Sequence, residues 1–224
     1  MKGCIFDLDG VIVDTAKYHY LAWKEIASEL GFEFTEKDNE LLKGVSRMAS
    51  LEILLNIGGI NVCEEEKLKL ADKKNKIYLS YITKMTSEEV LSGVRDFLED
   101  LHQNGIQIAL GSASKNAKTI LKQVGIEDMF DAIADGTNVT QAKPDPEVFQ
   151  KGAELLHLPA EECLVFEDAV AGVEAAHRAG MKCVGVGKRE ILKQADVVMA
   201  DFRQVKIENG KSVSYTHLRA HETD

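Results

Sequence analysis

Short apolar runs alternate with helical patterns from about residue 90 to residue 200, and this alternation constrains the fold more than any other feature of the chain. After a first strand at the N-terminus, the apolar runs predict strands at 106–111, 132–134, 163–166, 183–186 and 197–199. The helical patterns between them lie at 94–104, 116–124, 146–156 and 170–179. Strands that alternate with helices predict βαβ units and a parallel sheet. The predicted fold class is therefore α/β, with a doubly wound parallel-sheet core.

The block that follows the first strand contains no strand candidate. Its helical patterns lie at 16–30, 37–42, 46–57 and 64–82. A helical block behind the first strand of a parallel sheet indicates an insertion. We therefore expect a core domain formed by 1–14 and 83–206, with an all-helical cap at 15–82. The predicted hinges of this cap lie at 13–16 and 80–84.

Residues 207–224 do not continue either pattern. The segment is polar and carries no helical stripe of apolar side chains. It cannot offset an ordering cost of about 1–2 kcal/mol per residue by burying apolar surface. We expect a disordered or non-native tail.

Composition and net charge limit the kinds of molecule that this chain is expected to bind. The 224-residue chain has a net charge of −10 and no basic block, which argues against nucleic acid as a partner. No apolar run approaches the ~20 residues that span a bilayer, and no leader pattern is present, so we expect a cytoplasmic protein without membrane association. The scattered cysteines contain no C-x-x-C pair, so disulfides are not expected; they are Cys4, Cys63, Cys163 and Cys183.

Chemically useful side chains follow four of the predicted strands. The first strand ends in Asp7-Leu8-Asp9-Gly10, and the fourth ends in Glu167-Asp168. Ser112 follows the second strand, and Lys143 lies in the loop after the third. Ligands of parallel sheets bind beyond the carboxyl ends of the strands, so these groups should converge. Taken alone, Asp7 and Asp9 also fit a solvated acidic turn.

These groups together suit phosphoryl transfer. The carboxylates of Asp7, Asp9, Glu167 and Asp168 form an oxygen-only set, which suits Mg²⁺. The ammonium group of Lys143 can balance them and a developing phosphoryl charge. Ser112 and the backbone amides near Ala113 and Ser114 lie where a strand meets a helix, which favours anion binding.

The ordered set Asp7-Leu8-Asp9-Gly10, Ser112, Lys143-Pro144 and Glu167-Asp168 resembles the four motifs of the haloacid-dehalogenase superfamily of phosphotransferases, and the resemblance covers residues 1 to about 205. It implies that Asp7 is a nucleophile that becomes an aspartyl-phosphate and that Asp9 is the general acid and base. It further implies that Mg²⁺ is held by Asp7, the Asp9 carbonyl, Asp168 and Glu167.

The cap resembles that of the β-phosphoglucomutase family within this superfamily. The matching stretches are Asp14–His19 with Trp23, Gly44-Val45-Ser46-Arg47 with Ser50, and Ser112-Ala113-Ser114-Lys115-Asn116 in the core. The resemblance implies that Arg47 grips a distal phosphate, that Thr15 and His19 steady Asp9, and that Lys74 faces substrate. It implies that the substrate-binding residues are Trp23, Gly44, Val45, Ser46, Arg47, Ser50, Lys74, Ser112, Ala113, Ser114, Lys115 and Asn116.

Simpler interpretations exist for some of these side chains. Trp23 also fits a core aromatic residue, and His19 fits a surface histidine. The other lysines of the same predicted helix fit a solvated face, and Lys74 differs from them only through the resemblance; they are Lys67, Lys69, Lys73 and Lys76.

The resemblance therefore implies an enzyme that interconverts β-D-glucose 1-phosphate and glucose 6-phosphate through a 1,6-bisphosphate. We expect it to be a monomer, although the sequence does not fix the oligomeric state. A sugar-phosphate phosphatase of the same superfamily is the alternative, because it shares all four core motifs. A non-catalytic module that binds phosphosugars is a third hypothesis, which the intact set of Asp7, Asp9, Lys143 and Asp168 disfavours.

Overall fold

The computed structural model describes residues 1–42, 45–203, 205–208 and 212–215. Contacts between Cα atoms divide the chain into two compact units. One unit, the core unit, comprises Met1–Asp14 and the chain from Thr86 onward, and the other, the helical unit, comprises Thr15–Met85. None of the described helices combines the length and the apolar character that crossing a membrane requires.

The core unit is built on a six-stranded sheet whose strand pairs are all parallel. Its strand order is β3-β2-β1-β4-β5-β6, so β1 lies in the middle and reverses the direction in which strands are added. The strands are β1 Gly3–Phe6, β2 Gln107–Gly111, β3 Ala132–Ala134, β4 Cys163–Glu167, β5 Lys182–Val186 and β6 Val197–Met199. The predicted α/β fold class is confirmed.

Side chains that alternate along the strands bury both faces of this sheet. Ile5 and Val165 point into a cluster on one face, where they meet Phe149 and Val173 from the flanking helices. On the other face, Phe6 stacks on Phe166, with 4.6 Å between the ring centroids. Phe97 and Phe202 pack around that pair. The strand ends that carry the functional side chains are thus held by a packed core.

Helices lie between the core strands, as the alternation predicts. They are α5 Val94–Gln103, α6 Ala117–Gln123, α7 Glu147–Leu155 and α8 Val170–Arg178. No end of these helices differs from the predicted one by more than one residue, which is within the usual variation at helix termini.

In the helical unit, every element of regular secondary structure that the structure describes is a helix. The helices are α1 Ala16–Glu29, α2 Glu36–Asn39, α3 Arg47–Gly58 and α4 Glu64–Ile82, with a 3₁₀ turn at Glu40–Leu42. The Ser46 hydroxyl accepts a hydrogen bond from the Ala49 amide and so caps the start of α3. Gly59, with φ of +62°, ends the same helix. Apolar side chains of α1, α3 and α4 bury each other, including Trp23, Ile26, Leu51, Leu54 and Leu70.

The structure corrects part of the expectation for residues 207–224. Val205–Glu208 and Ser212–Tyr215 form two antiparallel strands, β7 and β8, in register from Val205 opposite Tyr215 to Glu208 opposite Ser212. The sequence carries the signal for this pairing, since apolar and polar residues alternate on both sides of Asn209-Gly210. The prediction was wrong here because the segment lacks a helical pattern of apolar residues but has the alternating pattern of a strand. Residues 216–224 lie outside the described residues.

Candidate active site

A largely buried lysine joins two of the predicted site carboxylates at the carboxyl ends of β1 and β4. Lys143 Nζ lies 2.5 Å from Asp7 Oδ1 and 2.8 Å from Glu167 Oε2. The Lys143 side chain is 10% exposed and the Glu167 side chain only 1%. The Asp7 amide donates to the Phe166 carbonyl, which continues the sheet pairing and fixes where Asp7 leaves the strand. The pairing of β1 with β4 therefore brings Asp7 close to Glu167, and Lys143 reaches both from a loop that lies 136 positions after Asp7.

The charges in this group shift each other's pKa. Burial alone lowers the pKa of Lys143, but the carboxylates of Asp7 and Glu167 outweigh it and hold that pKa above its ordinary value. Burial also raises the pKa of Glu167, and the Asp7 charge adds to that rise although Lys143 opposes it.

Asp168 adds a third carboxylate, and its pKa is raised as well. Desolvation and the charges of Asp7, Glu167 and Asp9 all act in that direction. Since Asp168 is exposed by surface area, we attribute the rise mainly to the neighbouring carboxylates. One lysine thus faces more carboxylates than it can neutralise, and an added cation would be stabilised here.

The donor set fits a hard divalent cation. One carboxylate oxygen from each of Asp7, Glu167 and Asp168 lies within 4.8 Å of the others. Within the part of the chain that the structure describes, the Asp9 carboxylate is not in this cluster. Oxygen donors without thiolate or imidazole favour Mg²⁺, Ca²⁺ or Mn²⁺ over softer metals.

Glycine is required at two positions that pack against these carboxylates. Gly10 has φ of +79°, and a Cβ added there would lie 2.1 Å from Asp168 Oδ2. A Cβ on Gly172, in α8, would lie 2.0 Å from Glu167 Cδ. Gly10 belongs to the first motif of the sequence, whereas the role of Gly172 was not predicted, because nothing local distinguishes a helical glycine that leaves room for a distant side chain.

The loop after β2 is ordered by its own hydroxyl groups. The Ser114 amide donates to Ser112 Oγ, and the Asn116 amide donates to Ser114 Oγ, each at 3.2 Å. Ser112 is buried, whereas Ala113 and Lys115 are exposed. Gly136 supports this loop from the end of β3, since its amide donates to the Ser114 carbonyl. A Cβ on Gly136 would lie 2.4 Å from the Ala113 carbonyl oxygen, a close approach that was not predicted from the sequence.

The helical unit has a cluster of its own around Lys74. Lys74 Nζ lies 2.8 Å from His19 Nδ1 and above the rings of Trp23 and Tyr78, at 4.9 and 4.7 Å from their centroids. The ring of His19 lies 4.2 Å from that of Tyr78. Trp23 is both a core aromatic residue and a neighbour of Lys74. Tyr78 was not predicted, although it lies one helical turn after Lys74 on the same face.

Burial separates Lys74 from the other lysines of α4. Lys74 is 2% exposed, whereas the remaining four form ion pairs with acidic residues of the helical unit. Burial lowers the pKa of His19 well below its ordinary value, and the charges of Lys74 and Arg47 lower it further. His19 is therefore a neutral imidazole beside a buried ammonium group.

The remaining predicted residues of the helical unit are placed as follows. Thr15 and Ser50 are buried, Arg47 is half-buried at the start of α3, and Val45 and Ser46 are exposed in the turn before it. Gly44 lies outside the described residues.

Comparisons with known proteins identify the family. The family model described as haloacid dehalogenase-like hydrolase matches residues 4–186, which include all four strand-end motifs. The chain belongs to this family.

Two β-phosphoglucomutases are similar to this haloacid dehalogenase-like chain over nearly its whole length. The enzyme of Bacillus subtilis strain 168 is 43% identical over 210 residues, which cover 93% of each chain. A crystal structure of β-phosphoglucomutase from Clostridium difficile superposes with a TM-score of 0.86 at 44% identity, over 91% of this chain and 92% of the other. A phosphorylated carbohydrates phosphatase of Thermotoga maritima is 32% identical over 81% of this chain and 83% of its own length. The predicted family is confirmed.

Proposed function

We propose that this protein is a phosphoryl-transfer enzyme that interconverts β-D-glucose 1-phosphate and glucose 6-phosphate. The observation that carries the proposal is the placement of Lys143 between Asp7 and Glu167 at the end of the central strand. The identity of 43% to a β-phosphoglucomutase over 93% of each chain supports this substrate pair rather than another phosphate ester.

In the proposed reaction, Asp7 carries the phosphoryl group. The phosphorylated Asp7 transfers that group to the 6-hydroxyl of β-glucose 1-phosphate, and Asp9 accepts the hydroxyl proton. The resulting 1,6-bisphosphate then donates its 1-phosphoryl group back to Asp7. Asp9 returns the proton to the oxygen at carbon 1, and glucose 6-phosphate leaves. Each cycle regenerates the phosphorylated enzyme, so a small amount of bisphosphate starts the reaction.

Lys143 supports both transfers through its charge. Its ammonium group touches Asp7 Oδ1, and it is buried enough that water screens it weakly. It can therefore neutralise charge on Asp7 and on a phosphoryl group bound there. We assign Ser112 and the amides of Ala113 and Ser114 to the oxygens of the same group. Lys115 and Asn116, in the following turn, are assigned to the sugar phosphate.

We propose Mg²⁺ as the cation of this site. Asp7, Glu167 and Asp168 would hold it together with the Asp9 carbonyl. When bound, it supplies charge neutralisation to the transferring phosphoryl group.

We attribute the preference for mutase activity over phosphatase activity to residues of the helical unit. We assign the phosphate that is not reacting to Arg47, because a guanidinium group binds phosphate in a bidentate way. Lys74 and Trp23 are assigned to the sugar, and Thr15 and His19 to the placement of Asp9. Val45, Ser46 and Ser50 complete the proposed phosphate grip. We further propose that the enzyme acts as a monomer.

A sugar-phosphate phosphatase is the second candidate. The observation that favours it is the similarity to the Thermotoga maritima phosphatase at 32% identity. Phosphorus NMR separates the two candidates when β-glucose 1-phosphate is supplied with Mg²⁺ and a trace of the 1,6-bisphosphate. A mutase gives glucose 6-phosphate with little free phosphate. Dominant release of inorganic phosphate would establish the phosphatase instead, and the α-anomer in a parallel sample tests anomer selectivity.

A further inference from the structure

The segment that delivers Lys143 has no regular secondary structure of its own. It runs from the end of β3 at Ala134 to the start of α7 at Glu147. Within it, the Asp145 amide donates to the Ala142 carbonyl at 3.0 Å, so the chain turns back on itself across Lys143 and Pro144. A turn of this kind needs a further restraint to hold a lysine tip in one place.

Glu147 provides such a restraint from the first residue of α7. Glu147 Oε2 accepts hydrogen bonds from the Thr140 amide at 2.9 Å and from the Gln141 amide at 2.5 Å. The Thr140 hydroxyl donates to the same carboxylate at 3.0 Å. These bonds lower the pKa of Glu147, with the Gln141 and Thr140 amides as the main causes. The carboxylate is therefore ionised while it holds the two amides.

The contacts close a ring around the lysine. Glu147 ties Thr140 and Gln141 to the helix start, and the Asp145 side chain accepts from the Glu147 amide at 3.0 Å. Lys143 lies between the two tied ends, and its ammonium group also sits 4.7 Å from the centroid of the Phe149 ring in α7. The start of α7, the hydrogen-bonded loop and Lys143 are thus linked to one another.

We infer that Glu147 is a positioning residue that fixes Lys143 against Asp7 by clamping the turn from Thr140 to Gln141. The inference rests on the proposed function in one respect only, the role of Lys143 in phosphoryl transfer. Glu147 itself lies outside the group of Asp7, Glu167 and Asp168.

An acidic residue in the first turn of a helix also stabilises that helix through its dipole. Two substitutions separate the roles. Glu147→Asp keeps the negative charge but shortens the side chain, and Glu147→Gln keeps the length but removes the charge. A dipole role predicts loss only for Glu147→Gln, whereas the clamp predicts loss for both. Glu154→Gln is the matched control, because the exposed Glu154 lies on the same helix and its side chain pairs only with the half-buried Lys151 among the contacts described.

A double-mutant cycle with Lys143 provides the decisive measurement. We expect Glu147→Gln to lower kcat about tenfold, with KM changing less, since it removes a charge from bonds to two amides. In a Lys143→Ala background the same change should cost less than about twofold, because the group it positions is gone. Equal losses in both backgrounds would overturn the inference. Affinity for inorganic vanadate with Mg²⁺ serves as the readout where Lys143→Ala leaves too little turnover.

Amide hydrogen exchange tests the clamp independently of any activity. The Thr140 and Gln141 amides should be protected in the parent protein and exchange at least about tenfold faster in Glu147→Gln, with Glu154→Gln unchanged. Unchanged exchange at both amides would refute the clamp. If the parent releases phosphate but shows no mutase flux, the proposed function fails, and the cycle is then measured on ester hydrolysis and still tests Glu147.

Discussion

Replacing Gly172 by alanine should destabilise the core unit, although alanine is the better helix former. Gly172 lies inside α8, where a change from glycine to alanine ordinarily stabilises by about 1 kcal/mol. Here the added Cβ would lie 2.0 Å from Glu167 Cδ and 2.1 Å from Glu167 Oε2. The Glu167 side chain is 1% exposed, so it has no open space into which it can swing.

The magnitude follows from what must move. Forcing an extra methyl group into a packed site costs about 1–3 kcal/mol. Displacing Glu167 also breaks its hydrogen bond with Lys143, and a bond to a charged group contributes about 1.5–3 kcal/mol. Set against the helix gain, the net loss is about 1.5–5 kcal/mol. That loss corresponds to a fall in Tm of about 3–20 °C for a domain of this size.

Differential scanning calorimetry of the parent protein and Gly172→Ala measures this loss. The control introduces the same alanine into a Glu167→Ala background, where no carboxylate is present to collide with. There the change should be neutral or stabilising by about 1 kcal/mol. A Gly172→Ala protein that melts at or above the parent temperature would refute the reasoning, and so would an equal loss in both backgrounds.

Other predictions concern the two clusters directly. Asp7→Asn should abolish turnover of every phosphate ester, as measured by phosphate release and by product NMR, whereas unchanged turnover would remove Asp7 from the nucleophile role. Arg47→Ala should lower mutase flux about ten- to a hundredfold more than hydrolysis of a small aryl phosphate, which has no second phosphate to hold; equal losses would make Arg47 structural. Tyr78→Leu should raise KM for the sugar phosphate while Tyr78→Phe does not, because the phenylalanine keeps the ring that lies against Lys74 and His19. Burial keeps His19 neutral in the folded protein, whereas the imidazole of the unfolded chain takes up a proton below about pH 6.5. The free energy of unfolding should therefore fall as the pH is lowered through that value. NMR titration should show that the pKa of His19 is higher in Lys74→Met than in the parent protein.

The fold and the principal carboxylates could be predicted because their signals are local. The strand that ends in Asp7 is apolar, and helices separate it from the strands that end near Ser112 and Glu167. In a parallel sheet the carboxyl ends share one edge, so convergence at that edge follows from the common direction of the strands. The presence of Lys143 in the site was predicted from the family resemblance and from the position of this lysine in the loop after β3.

The supporting residues could not be predicted in the same way. Gly136, Glu147 and Gly172 act on residues that lie elsewhere in space, and each has an ordinary role that explains it locally. Glycine in a loop, glutamate in a first helical turn and glycine in a short helix are all common. Only coordinates show that Gly172 leaves room for Glu167 or that Glu147 holds the amides of Thr140 and Gln141. The β7–β8 pairing was missed for a different reason, since its period of two was present in the sequence.

The distribution of aromatic side chains makes the two units optically distinct. The chain has one tryptophan, Trp23, and that residue lies in the helical unit together with Tyr18, Tyr20, Tyr78 and Tyr81. The apolar clusters on the two faces of the sheet are instead built on phenylalanine, including Phe6, Phe97, Phe149, Phe166 and Phe202. Intrinsic fluorescence excited at long wavelength will therefore report on the helical unit alone, from a ring whose centroid lies 4.9 Å from Lys74 Nζ. Because both units contain helices, far-ultraviolet dichroism reports on the whole chain. Recorded together with the emission on one sample, it will show whether the helical unit unfolds before the rest of the chain or with it, without any label.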